Sequence, residues 1–123
     1  MNGYLALVLD EDSKKVLLEK LPPRYKNVYS HHVTVVYEPT EDEYNKYKDL
    51  LGKTFDIQVV GYTKDDKCDA AFVRVPISIK NAYPHITLST NNIDPVYSNE
   101  LLKKGYREIK DFTISGVLEF LEL

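Results

Sequence analysis

Two segments of this chain repeat one pattern and place it once in each half. Residues 32–35 read His-Val-Thr-Val and residues 85–88 read His-Ile-Thr-Leu. Both sit in alternating, β-branched runs, "HHVTVVY" over 31–37 and "PHITLS" over 84–89, of the kind that forms strands. Successive side chains of a strand point to opposite faces. His32 and Thr34 therefore share one face and Val33, Val35 and Tyr37 the other, with His85 and Thr87 set against Ile86 and Leu88 in the same way. Each strand must bury its aliphatic row, so each half of the chain needs a core on one side and offers an imidazole beside a hydroxyl on the other. The chain has three histidines. The remaining one, His31, falls on the aliphatic row by parity or at the mouth of the strand, and reads as a structural residue. Ser89 continues the His85 and Thr87 face as a strand-end hydroxyl.

The other elements alternate around these strands. Residues 4–10 read as a strand and 11–21 as a helix, with a β continuation through 16–18 as the alternative, stopped by Pro22 and Pro23. Thr40 with Glu43 three residues on forms a capping-box signature for a helix over 41–51, which Gly52 ends. Strand-like runs follow at 54–64 and 69–77, a helix at 94–105 with Pro near its start and Gly at its end, and a closing strand at 111–123. The order β-α-β-α-β-β-β-α-β predicts an α+β fold with antiparallel sheet. With 123 residues, 43% hydrophobic and no low-complexity linker, the expectation is one domain spanning 1–123.

Charge and cysteine usage narrow the partners. A formal net charge of −3 argues against holding a long nucleic acid by charge neutralisation, and favours a small or locally gripped substrate. Cys68, the single cysteine, cannot close an internal disulfide, and its acidic neighbours in "DDKCD" would raise its thiol pKa and make it a poor nucleophile. No apolar run approaches membrane-spanning length and the first residues lack a signal-peptide pattern, so no membrane partner and a cytoplasmic setting are expected.

The paired motifs resemble those of the 2H phosphoesterase superfamily, which carries two His-x-Thr/Ser units, each followed by a hydrophobic residue, on strands of two similar lobes. Within it, "SHHVTVVYEPT" and "YPHITLST" are most similar to the cyclic phosphodiesterase domains of fungal-type tRNA ligases and to related small phage proteins that degrade cyclic-nucleotide defence signals (anti-CBASS phosphodiesterases). The resemblance implies a bilobal fold, two antiparallel sheets flanked by helices around a central cleft. It also implies a phosphodiesterase acting on 2′,3′-cyclic phosphate ends of RNA or on cyclic (oligo)nucleotides, with catalytic His32, His85, Thr34 and Thr87, no cofactor and no metal.

The residue types suit that chemistry. Breaking a phosphodiester needs a base for the nucleophile and an acid for the leaving oxygen, and imidazoles titrate close enough to neutral pH to serve as either. Threonine hydroxyls can donate to the non-bridging oxygens as charge builds there. A zinc centre would need three closely grouped ligands, and a serine hydrolase a G-x-S-x-G elbow; neither pattern is present. The alternative is a non-catalytic module of the same fold that sequesters a nucleotide or binds a protein. Further substrate contacts are expected from Tyr4 and Tyr25, on which a base would stack, and from Arg24, Lys26 and Lys80 as phosphate contacts.

Overall fold

The first two helices of the computed structural model, which describes residues 1–123, begin at side-chain caps. Asp10 accepts a hydrogen bond from the Ser13 N–H at 2.8 Å and starts α1 (Glu11–Lys20). Thr40 and Glu43 form the reciprocal capping box of α2 (Glu41–Tyr47), which tightens into a 3-10 turn over Lys48–Leu50. Each cap satisfies helix N–H groups that have no carbonyl four residues back. A third helix, α3 (Tyr97–Lys103), lies near the C-terminal end. No helix is long and apolar enough to cross a membrane.

Seven strands surround these helices: β1 (Gly3–Leu9), β2 (Asn27–Val28), β3 (His32–Tyr37), β4 (Thr54–Lys64), β5 (Cys68–Arg74), β6 (His85–Thr90) and β7 (Arg107–Glu122). They form one curled antiparallel sheet in the order β2-β6-β5-β4-β7-β1-β3. The α+β class holds, and the two expected sheets are the halves of this single one, joined where β4 pairs with β7 from Thr54↔Val117 to Tyr62↔Arg107. Several boundaries differ from expectation, among them the start of α3 at Tyr97 rather than 94, and one strand is added. Strand β5 stops at Arg74, two residues before Pro76, which has no N–H to give a ladder. Strand β7 starts at Arg107 rather than 111, because the charged "REIKD" stretch is exposed on most sides and hides its pairing with β4. The two-residue β2 was not anticipated and is too short to show a period.

The halves match residue by residue. In β1 and β3 the pairs run Val8↔His32, Leu7↔Val33, Ala6↔Thr34, then skip Val35 to Leu5↔Val36 and Tyr4↔Tyr37. In β5 and β6 they run Phe72↔His85, Ala71↔Ile86, Ala70↔Thr87, then skip Leu88 to Asp69↔Ser89 and Cys68↔Thr90. The hydrophobic residue after each threonine is thus the extra residue of a β-bulge, which shifts the facing of everything beyond it by one. Val35 and Val36 are consequently both buried, and Tyr37 is turned to solvent beside Tyr4, not to the aliphatic side as strict alternation predicts. The aliphatic rows of β1, β3, β4, β5, β6 and β7 meet in one core with Leu17 of α1, including Leu5, Leu7, Val33, Ile57, Ile86 and Leu88.

The curl brings the two motif strands together. Residues 27–30 run antiparallel along β6: Asn27 and Val28 pair with Thr90 and Ser89, Tyr29 N–H donates to Leu88 O at 2.9 Å, and Ser30 N–H donates to Thr87 O at 2.9 Å. Ser30 then turns the chain with φ 49° and its hydroxyl donates to Leu88 O at 3.0 Å, so that β3 begins two residues later. The Ser30→Ala variant removes one buried hydrogen bond while leaving Leu88 O satisfied by Tyr29. It is expected to lose about 1 kcal/mol, read as a lower urea midpoint with an unchanged m-value; an unchanged midpoint would show that the hydroxyl does not hold this seam.

Candidate active site

His32 is two residues from Ser30, hence within about 8 Å of it along the backbone, and Ser30 is hydrogen-bonded to Thr87. The seam therefore sets the first imidazole beside the second motif. Their threonines lie opposite Ala6 and Ala70, the smallest side chains that could occupy those cross-strand positions without the conformational freedom of glycine, so the hydroxyls are not crowded from the neighbouring strand. All four motif side chains are partly exposed on the face away from the aliphatic rows.

Second contacts fix the rings and hydroxyls. His85 Nδ1 is 2.6 Å from the Tyr83 carbonyl oxygen. A carbonyl only accepts, so the proton is on Nδ1 and Nε2 is the nitrogen left for chemistry. His32 Nδ1 is 2.5 Å from His31 Nδ1, and the rings are inclined by 17°. His31 is therefore at the mouth of β3 in contact with His32, a partner rather than a member of the aliphatic row. Thr87 Oγ1 lies 2.8 Å from Ser98 Oγ of α3, which is in turn 3.4 Å from the Cys68 sulfur. Cys68 is fully buried at the start of β5, not in the turn, and burial is the main cause that pushes its thiol pKa up.

Electrostatics separate the two imidazoles. Burial, followed by the neighbouring His31 and His85, pushes His32 down to about 4. Burial also lowers His85, against the opposing effect of the Tyr83 carbonyl, which favours its cation. His31 is lowered by burial and by the positive charge of Lys14.

The expected substrate contacts fall into different places. Tyr4 lies beside the first motif, its ring centroid 5.5 Å from that of His32 and 6.3 Å from that of Tyr37. Tyr37 is thus a site-facing aromatic residue that alternation missed; the Val35-Val36 doublet, which breaks the pattern, was the signal. The loop carrying Arg24, Tyr25 and Lys26 docks on the second motif strand, not the first: the Arg24 and Tyr25 N–H groups donate to Ser89 Oγ at 3.1 and 3.0 Å. Ser89 passes its own proton to Asp69 Oδ1 at 2.5 Å, so it is buried and fully engaged. The Tyr25 hydroxyl is tied to the Asp65 carbonyl, while the Arg24 and Lys26 side chains are exposed. Lys80 is directed elsewhere: its Nζ is 2.9 Å from Glu43 of α2, and its N–H donates to Val35 O. No three His, Cys, Asp or Glu side chains converge as a ligand set for a metal. A surface depression of about 710 Å³ is lined by residues of β4, β5 and β7 such as Asp56, Gln58, Arg74 and Thr113 and contains neither motif.

With two bulged His-x-Thr strands brought together by the segment that leads into β3, comparison with known proteins is decisive. The family model described as the fungal tRNA ligase phosphodiesterase domain matches residues 12–120, which include both motifs. The chain belongs to that family. The chain also resembles a solved structure described as a crystal structure of fungal RNA kinase, with a TM-score of 0.62 at 16% sequence identity. The likeness covers 99% of this chain and 44% of that one, so this phosphodiesterase-family chain spans less than half the length of its structural neighbour and shares its fold. No curated protein matches the chain in sequence.

Burying neutral imidazoles has a consequence for stability. The unfolded chain binds protons on histidine near pH 6.5, whereas folded His32 does so only near 4. Its contribution is therefore complete above about pH 6.5 and is lost as pH falls towards 4, by an amount of order 1–3 kcal/mol. Urea titrations at pH 7 and pH 4.5 should show this fall in the wild type and a shallower one in His32→Gln, a comparison that cancels the carboxylates. Equal slopes would contradict the depressed value.

Proposed function

We propose that this chain is a metal-independent phosphodiesterase that opens 2′,3′-cyclic phosphate ends of RNA by two-histidine acid and base catalysis. The observation that carries the reading is the pairing of equivalent imidazole and hydroxyl groups from two matched half-sheets across the Ser30–Thr87 seam. Membership in the phosphodiesterase-domain family supports the same chemistry.

His32 enters as the neutral imidazole, because burial and then a proton on His85 disfavour its own. It takes the proton from the attacking water as the water oxygen bonds to phosphorus. His85, whose cation the Tyr83 carbonyl supports through Nδ1–H, gives its Nε2 proton to the departing ribose oxygen. Thr34 and Thr87 donate to the non-bridging oxygens, which carry more charge in the pentacovalent transition state than in the substrate. Tyr4 and Tyr37 offer an aromatic surface for the terminal base, and the exposed Arg24 and Lys26 a local positive charge for the adjoining phosphate.

The test is turnover of one short oligonucleotide bearing a 2′,3′-cyclic phosphate, beside cyclic mononucleotides, cyclic dinucleotides and the same oligonucleotide with plain ends, with products identified by mass. Multiple turnovers of the cyclic end, undiminished by EDTA, are expected; loss of activity restored by Zn²⁺ or Mg²⁺ would place the protein in another mechanistic class. Stoichiometric depletion without product would leave a nucleotide-sequestering module, and preference for a cyclic dinucleotide would move the substrate to signalling molecules. His32→Ala and His85→Ala should each lose about 10²- to 10⁴-fold in kcat and Thr34→Ala and Thr87→Ala roughly 10²- to 10³-fold, all with the wild-type circular dichroism spectrum.

The pH profile of kcat/KM should be a bell centred on the acid side of neutrality. Activity falls on the acid side as His32 gains a proton and on the alkaline side as His85, lowered by burial, loses its own. An optimum above pH 8 would reverse neither sign but exclude both groups as the titrating pair.

A further inference from the structure

His31 and His32 meet through their Nδ1 atoms, 2.5 Å apart, with ring centroids 4.6 Å apart and planes 17° from parallel. With the facing nitrogens so much closer than the ring centres, the rings touch edge to edge and nearly coplanar, not face to face. That is the geometry in which an N–H of one imidazole points at the lone pair of the other. Only one proton fits between them. We propose that His31 is the positioning residue of His32: its Nδ1 accepts the Nδ1–H of His32 and thereby fixes the tautomer whose Nε2 lone pair serves the reaction.

The direction of this bond follows from what His32 has to do, and so rests on the two-histidine reading above. As a base, His32 needs a lone pair on Nε2 and its proton on Nδ1. As the cation formed after proton transfer, it carries protons on both nitrogens. Nδ1–H is present in both states and requires an acceptor in both. His85 has that acceptor in the Tyr83 carbonyl, and His31 occupies the corresponding role in the first half. The opposite arrangement, with His31 donating, would put the His32 proton on Nε2 and leave no base. Neighbouring groups keep the His31 lone pair available. Lys14 of α1 bears a positive charge towards it, and the ring of Tyr29 stands edge-on at 6.1 Å. His32 is faced by His85 from β6 and by the Tyr4 ring of β1. A second proton on the pair would break the hydrogen bond and set two cations in contact.

An imidazole differs from a carbonyl in being a base itself: on the acid side it competes for the proton, and once it carries one it repels a proton on His32. Asparagine in its place keeps an acceptor oxygen near the Nδ1 position but neither titrates nor repels. His31→Ala should therefore lower kcat by about 10- to 100-fold, the usual cost of removing the group that orients a functional imidazole, with KM unchanged. His31→Asn should restore most of kcat and move the acid limb of kcat/KM to higher pH, leaving the alkaline limb in place. A residue that merely packed would give neither the rescue nor the selective shift.

Long-range ¹H–¹⁵N correlation spectra of the substrate-free protein provide a readout independent of turnover. At pH 7 the wild type should show His32 protonated on Nδ1, and His31→Ala should show a mixture of tautomers. Spectra with the His32 proton on Nε2, or wild-type kcat and pH profile in both His31 variants, would overturn the proposal. If the wild type turns over no phosphodiester, the functional reading fails, while the spectra still decide whether His31 holds the tautomer of His32.

Discussion

The antiparallel run of residues 27–30 along β6 is the contact on which the site depends. Without it, β3 and β6 would be the two ends of a six-strand ladder, with four strands between them. Backbone hydrogen bonds from Tyr29 and Ser30 close that distance. They also fix register, because Ser30 meets Thr87 and the chain has only two residues in which to reach His32. The left-handed φ of Ser30 is the local strain that makes the turn, and a buried hydroxyl bond offsets part of it.

The two halves reach the same arrangement by unequal means. Their ladders share the same bulge, yet Thr87 is backed by Ser98 of α3, while Thr34 lies on the side of Tyr4 and Tyr37. His85 leans on a carbonyl that never titrates, His32 on another imidazole. Two motifs of near-identical sequence thus set their imidazoles in different surroundings, with burial lowering both and the remaining neighbours differing.

Much of this was legible in the sequence. The His-x-Thr repeats, the Thr40 capping box, the breaks at the prolines and the overall order of strands and helices each rest on local chemistry that the fold leaves intact. What escaped depends on pairing between distant segments. A bulge is a mismatch of two strands, so one strand alone hints at it only through the Val35-Val36 doublet. The two residues of β2 are strand because β6 lies beside them. Lys80 could not be traced to Glu43, nor the Tyr25 loop to Ser89, from spacing alone. Of the two places open to His31, the mouth of the strand is the one it takes, because parity applies only once the strand has begun; one residue before β3, it is free to turn its ring towards its neighbour.

The strands that carry the histidines would ordinarily be hazardous ones. An uncovered sheet edge presents unpaired N–H and C=O groups on which another chain can add, the first step towards intermolecular β-assembly. Here β6 is overlaid by 27–30, and Val35 of β3 accepts the Lys80 N–H from the loop after β5. The curl that assembles the site therefore also pairs the outer edge of β6 and engages one carbonyl of β3. The same few backbone bonds that gather the two histidines thus leave less of these strands open to pairing with a second copy.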